Sequence, residues 1–401
     1  MKKPLSLYIH IPFCKHKCMY CDFLSFANET NTKQIQYVNA LMSEIRMYKP
    51  FADRYTVKTI YIGGGTPSFI DEALIGKILD CVNHIFKVDR FPEITIEVNP
   101  GTIKYTDLLS YKEYGINRLS IGLQSADDKM LRRVGRIHNY EEFLQGFEYA
   151  RRAGFENISV DIMSGLPGQD THTLVDTLTK VTELEPEHIS VYSLQVEEGT
   201  PLSEREDMLD LLPDENTERM MYSMTKKVLK AAGYNRYEIS NYSKPGLESR
   251  HNSVYWTGGQ YVGFGIGASS YFKGERFTNI KHMDNYIEIC EDIRDELTKD
   301  TDRVRLYDSA TKILREDIQT IYIDSRIEEF MYLGLRMTAG VSRSEFSERF
   351  NRDMFEMYGE IINKYADQGF MACEGDRVRL TDKGIDVSNY ILADFILDKE
   401  K

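Results

Sequence analysis

The chain has 401 residues, 42% of them apolar and 28% charged. That exceeds one typical domain of roughly 100–200 residues, so a large domain plus a smaller one is expected, with apolar content that excludes a disordered chain. A formal net charge of −13 repels nucleic acid and anionic lipid at long range, and no run approaches the roughly 18 consecutive apolar residues of a membrane span.

The N-terminal MKKPLSLYIHIPFC has too short an apolar run for a signal peptide and reads as a buried strand, LSLYIHI from Leu5. CKHKCMYC follows, with Cys14, Cys18 and Cys21 in a C-x3-C-x2-C run. Three thiolates on one short loop can wrap a single inorganic centre. Zinc would want a fourth protein ligand, whereas a [4Fe–4S] cube held by three cysteines keeps one iron open. Cys81, Cys290 and Cys373 are scattered and complete no local pair. The clustering suits metal binding in a reducing, cytoplasmic compartment better than disulfides.

Further strands are expected at TVKTIYIGGG from Thr56, ITIEVNP from Ile94, INRLSIGLQ from Ile116, ISVDIMSGLP from Ile158 and HISVYSLQ from His188. Helical patterns lie between them, at Thr32–Tyr48, Glu72–Phe86 and Tyr140–Ala153 among others. Six β-α repeats with nearly continuous apolar strands predict an α/β fold, a parallel sheet covered by helices. Such a sheet curls into a barrel or is doubly wound, and ligands bind at the strand C-terminal ends.

Residues 200–300 read as less regular, with one amphipathic helix at Asp214–Ala232, the string RHNSVYW, and a Gly-dense stretch, TGGQYVGFGIGASSY. Later come helices at Glu328–Met337, Ser342–Arg349 and Met354–Gln368. A hairpin at Met371–Leu380, turning at Glu374-Gly375-Asp376, and a last helix complete a winged-helix-like helical module. The expected division is 1–240 as the barrel, 241–325 as its completion and connection, and 326–401 as the C-terminal module. That module carries 11 Lys and Arg against 15 Asp and Glu, which argues against duplex DNA and favours a lid packed on the barrel.

Chemistry-bearing residues fall at strand ends. Gly63-Gly64-Gly65-Thr66-Pro67 lets a ligand approach the backbone and leaves N–H and C=O groups free to hold it, or is a plain strand-to-helix turn. Glu97 and Asp161 are carboxylates ending apolar strands, and buried acids there need partners such as ribose hydroxyls or an amine. Gln124 ends the fourth strand. Arg136 follows it and is able to grip a carboxylate in bidentate fashion; taken singly, each of these four also reads as an internal salt bridge or cap.

Together, YIHIPFC-x3-C-x-YCDF, GGGTP, IEVNP, LSIGLQS, VGRxH, DIMSGLPGQ and HNxxYW resemble the oxygen-independent coproporphyrinogen III oxidase-like branch of the radical S-adenosylmethionine (SAM) enzymes, over nearly the whole chain. The resemblance implies a partial (β/α)6 radical SAM barrel with a C-terminal helical module. It implies Cys14, Cys18 and Cys21 as ligands of a [4Fe–4S] cluster whose open iron is chelated by SAM. Tyr8, Tyr20, Gly64, Gly65, Thr66, Glu97, Gln124, Arg136 and Asp161 would line the SAM site. Gln195 would join them where the oxidase has a small SAM-contacting residue.

Two departures stand out. The oxidase carries a fourth cysteine where this chain has Phe23. The chain also starts thirteen residues before Cys14, so the oxidase's N-terminal extension is expected to be missing. Both point to the haem-chaperone relatives within the branch, which carry C-D-F after the motif and an H-N-x-x-Y-W string, here His251 to Trp256. That resemblance implies haem as cargo and haem-accepting proteins as partners. His251, flanked by Tyr255 and the sole tryptophan, Trp256, is the candidate haem ligand, histidine being the most common axial residue; its other reading is a hydrogen-bonded support of the barrel mouth. No nucleic acid or integral membrane segment is expected. A homodimer and peripheral membrane association through a partner stay open, and no catalytic residue is assigned. The alternative is a radical SAM oxidative decarboxylase acting on coproporphyrinogen III. A zinc-bound structural module is the third reading.

Overall fold

The computed structural model describes residues 2–299 and 302–397, so the end of the expected 326–401 module lies outside the described residues. Six strands run parallel and side by side in chain order: β1 (Lys3–Ile11), β2 (Tyr55–Gly64), β3 (Val88–Val98), β4 (Arg118–Gln124), β5 (Ile158–Ser164) and β6 (His188–Ser193). Parallel neighbours need long crossovers, which helices such as Asn31–Met47, Glu72–Ile85, Tyr140–Arg152 and Thr171–Thr182 supply. Side-chain caps fix where these helices begin. Thr30 accepts from the Lys33 amide, Asp170 from Thr173, and Asn139 with Glu142 forms a reciprocal capping box. β3 starts well before the expected Ile94. Val88 pairs with Val57 across an irregularity in the register, which lets Pro92 sit within the strand.

The sheet does not close. After β6 come β7 (Asn235–Arg236), β8 (Asn241–Ser243), β9 (Tyr261–Phe264), β10 (Ser269–Phe272), β11 (Glu275–Asn279) and β12 (Arg315–Thr320). They extend one 12-stranded sheet, ordered β12-β11-β10-β9-β1-β2-β3-β4-β5-β6-β8-β7. β9 lies parallel to β1, and the other additions are antiparallel. The result is a partial (β/α)6 barrel. Residues 200–300 are thus more regular than their sequence implies, since they also hold the helix Met283–Leu297. Strands of two to five residues are too short to show a period.

Alternation along the strands gives the sheet two unlike faces. On β1, Leu5, Leu7, Ile9 and Ile11 are at most 1% exposed and pack toward the helices. Full burial of such side chains stabilises by about 1.5–3 kcal/mol each. The intervening Ser6, Tyr8 and His10 face the barrel interior with Thr59, Tyr61, Thr95, Glu97, Ser120, Ser159, Asp161, His188 and Ser190. This interior is polar and bonded to itself. Thr59 donates to Ser6 at 2.7 Å, Ser120 to Asp161 at 2.9 Å, and His188 bridges Ser159 at 2.8 Å and Tyr237 at 2.9 Å.

The C-terminal module has its own core, built on Ile327, Met331, Leu335, Phe346, Met354, Tyr358 and Ile362. Its helices are Ile323–Gly334, Arg343–Phe350 and Met354–Asp367. The expected hairpin turns at Gly375-Asp376 and gains a third strand, Val341–Ser342; the expected last helix is two short ones, Asp382–Asp386 and Ser388–Ala393. The module seats on the helix Arg250–Trp256. Arg336 lies 4.5 Å above the Trp256 ring, and Arg349 donates to the Thr257 carbonyl at 3.0 Å.

Candidate functional site

A cleft of about 440 Å3 opens at the C-terminal ends of β1 to β6. Its rim is the cysteine loop, pinned at both ends. Phe13–Cys14 pairs in parallel with Phe26–Ala27, and the Phe26 amide donates to the Pro12 carbonyl at 2.7 Å. Midway, the Met19 amide donates to Val134 at 3.1 Å and the Leu202 amide to Met19 at 2.9 Å. Cys14 is buried, Cys18 and Cys21 half-buried, and all three line the cleft. Burial pushes the Cys14 thiol up and the Cys21 thiol to about 11. A cationic centre would reverse that order and hold them as thiolates.

The glycine turn after β2 is shaped against this loop. The Gly65 amide donates to Ile11 at 2.9 Å and the Thr66 amide to Phe13 at 2.8 Å. A Cβ on Gly65 would come within 2.8 Å of the Phe13 carbonyl and 3.0 Å of the Cys14 sulfur. Gly64 has φ +115, and a Cβ there would strike the His10 ring at 2.5 Å. His10 is itself a brace. Its Nε2 donates to the Leu24 carbonyl at 2.8 Å, which leaves Nδ1 to accept from the Tyr8 hydroxyl at 2.9 Å. Burial lowers its pKa to about 4, so it stays neutral in this role.

Two carboxylates form the floor. Glu97 accepts from the Tyr61 hydroxyl at 2.8 Å and the Gly64 amide at 3.1 Å. Burial, reinforced by Asp161, raises its pKa to about 7. Asp161 accepts from Ser120 at 2.9 Å and Ser159 at 3.2 Å, and burial raises its pKa as well. Opposite stands Arg136, which donates to the Gly122 carbonyl and reaches the Cys18 sulfur at 3.7 Å. Its Nε is buried without a partner. Gln124 ends β4 at φ +70 beside a register shift, which turns it into the cleft. The cleft therefore offers acids at one wall, a guanidinium at the other and cysteines at the rim, a set able to hold a zwitterionic amino-acid group next to a metal centre.

Cys14, Cys18, Tyr20, Cys21, Gly64, Gly65, Thr66, Glu97, Gln124, Arg136, Asp161 and Gln195 all line this one cavity. Tyr8 and His251 do not. Tyr8 lies a layer below, stacked on Tyr61 with centroids 6.3 Å apart. His251 is 1% exposed. Its Nδ1 bonds Thr59 at 2.8 Å, and its Nε2 bonds the Tyr255 hydroxyl at 2.9 Å. Since Thr59 gives its own proton to Ser6, the Nε2 lone pair is the one that accepts from Tyr255. The His251 and Arg250 amides both donate to the Glu93 carboxylate, at 2.8 and 2.9 Å. In this geometry His251 is a support beneath the floor, 5.2 Å from the Tyr61 ring, and it is placed apart from the cysteines. Tyr61, Ser120 and Tyr192 line the cleft but were not singled out in the sequence. Counting back by two from Gly63 and Gly122 would have found the first two.

A family model of the radical SAM superfamily matches residues 8–181, and one of the HemN C-terminal domain matches residues 324–387. The heme chaperone HemW of Bacillus subtilis is 36% identical over 98% of this chain and 99% of its own length. The chain belongs to the HemW family. The Lactococcus lactis member is 32% identical over 99% of both chains, and the Escherichia coli member 39% identical over 66% of this chain and 69% of its own. Among solved structures, the E. coli coproporphyrinogen III oxidase HemN, a radical SAM enzyme, superposes with a TM-score of 0.83 at 23% identity, covering 98% of this chain and 90% of its own. That likeness establishes the fold. The HemW family's radical SAM character implies a [4Fe–4S] cluster and SAM, and the cleft fits both. Three thiols share one cavity, and the buried Arg136 Nε is unmatched within the protein. Among the described residues no three His, Cys, Asp or Glu side chains converge on the position of a single metal ion. No helix among them is long and apolar enough to cross a membrane.

Proposed function

We propose that this chain is a [4Fe–4S]- and SAM-binding haem chaperone of the cytoplasm that binds haem and hands it to haem-requiring proteins. Full-length similarity to proteins named heme chaperone HemW carries the reading. Phe23 supports it: a phenylalanine, 64% exposed on the cleft rim, stands where the resembling oxidase has its fourth cysteine.

Cys14, Cys18 and Cys21 would hold the cluster, which supplies an open iron for SAM. The residues around it have assignable tasks. Glu97 and Asp161 receive the ammonium and ribose hydroxyls, Arg136 receives the carboxylate, and Gly64, Gly65 and Thr66 present backbone groups at close range. Tyr20, Gln124 and Gln195 close the walls, and Tyr8 acts through His10 and Tyr61. His251 as haem ligand requires Nε2 to release the Tyr255 hydroxyl, so haem binding there turns the Tyr255 side chain away.

Anaerobic reconstitution followed by iron and sulfide analysis tests the cluster, and haem titration of wild type and His251→Ala tests the cargo. Iron and sulfide near four each per chain, with saturable haem uptake, is expected. Wild-type protein that takes up no haem refutes the chaperone reading. A decarboxylated porphyrinogen formed from coproporphyrinogen III with SAM and reductant assigns the oxidase reading instead.

A further inference from the structure

The end of the barrel away from the cysteine cleft holds a second feature, which none of the cleft chemistry uses. Where β1 and β2 begin, a hollow of about 1000 Å3 is framed by chain segments far apart in sequence: residues 2–3, 53–55, 260, 271, 273–274 and 326. Five of its side chains are cationic, Lys2, Lys3, Arg54, Lys273 and Arg326, against one acid, Asp53. Only Lys2 pairs with that acid, at 3.9 Å. Among the described residues the other four form no ion pair with a carboxylate. In a chain of net charge −13, five cations gathered around one lining acid are the electrostatic footprint of an anion.

Lys273 is one of these exposed cations. It opens the two-residue turn Lys273-Gly274 between β10 and β11, where both residues take positive φ, +55 and +82. Its amide is held by Gln260 Oε1 at 3.2 Å, and its ammonium is seated 3.3 Å from the centre of the Phe51 ring. Burial, and then Arg54, lower its pKa, while Asp308 and Glu275 oppose the shift. Arg326 reaches the hollow from the first helix of the C-terminal module.

We propose that this hollow binds a small polyanion, a ligand with at least two phosphate or carboxylate groups, and that its occupancy fastens the C-terminal module to the barrel. The inference stands apart from the haem reading, because none of these residues lines the cysteine cleft.

Inorganic pyrophosphate and citrate serve as probes, titrated calorimetrically into wild type, Lys273→Asn and Arg326→Gln. Asparagine tolerates the left-handed backbone, so the first variant removes the charge and keeps the turn; an unchanged melting temperature without ligand confirms folding. Saturable binding by wild type, weakened about tenfold in each variant and weaker in higher salt, is expected. The tighter of the two probes identifies phosphate or carboxylate as the ligand group. Neither probe binding, or equal binding by all three proteins, overturns the proposal.

Discussion

Gly65→Ala perturbs the contact between the glycine turn and the cysteine loop with a single methyl group. The added carbon meets the Phe13 carbonyl at 2.8 Å, the Cys14 sulfur at 3.0 Å and the Ile11 carbonyl at 3.0 Å. Two of these are backbone atoms of a buried segment and are unable to rotate away. Relief has to come from separating the turn from the loop, at the expense of the Gly65–Ile11 and Thr66–Phe13 hydrogen bonds. Overpacking of this kind costs about 1–3 kcal/mol, and it falls on the segment carrying Cys14. The substitution should therefore lower global stability modestly while sharply reducing iron and sulfide retained after anaerobic reconstitution. Urea melts and cluster absorbance separate the two effects. Wild-type cluster content together with wild-type stability in Gly65→Ala would refute the claim that this turn and the cysteine loop are fitted to each other.

Other predictions follow from the buried network. Tyr61→Phe leaves one oxygen of Glu97 without its donor, raises that carboxyl further and should weaken SAM binding about five- to tenfold by calorimetry; unchanged affinity contradicts the proposed role of Glu97. Glu44 is buried, accepts from Gly265, Asn279 and Tyr286, and has its pKa raised by burial from 4.5 to about 7. The folded state keeps that proton through this window and the unfolded chain does not, so stability falls as pH rises from 4.5 to 7, by up to about 3 kcal/mol. Glu44→Gln should flatten this decline in chemical melts, and an identical decline in both proteins rules the assignment out. Ser249→Ala removes the cap on the helix Arg250–Trp256 at about 1 kcal/mol, and amide exchange should quicken there while iron content holds.

The six parallel strands were legible because each is a nearly unbroken apolar run followed by a helical period, and a strand's C-terminal end is where this architecture puts its ligands. Cysteine spacing and strand ends together gathered the cleft residues. His251 could not be placed that way. Its surroundings come from Thr59, 192 positions earlier, and Glu93, 158 positions earlier, and no local pattern encodes such contacts. Tyr8 was expected in the cleft only through the family resemblance, and its hydroxyl is turned to His10. Glu44 looks like one more acid on the amphipathic helix Asn31–Met47, and only the fold reveals that Tyr286, 242 residues away, encloses it. The short antiparallel strands were invisible for the opposite reason, having too few residues for alternation to register.

An open sheet has two free margins, and this one finishes each in a way that resists lateral growth. One margin is β7, only two residues long. The other, β12, reads Arg-Glu-Asp-Ile-Gln-Thr, with five of its six residues exposed and Asp317 in the left-handed region at φ +52. Charge and a broken backbone pleat make that margin a poor template for a further strand. An open barrel whose margins end this way can stand at high protein concentration without templating intermolecular β-aggregates.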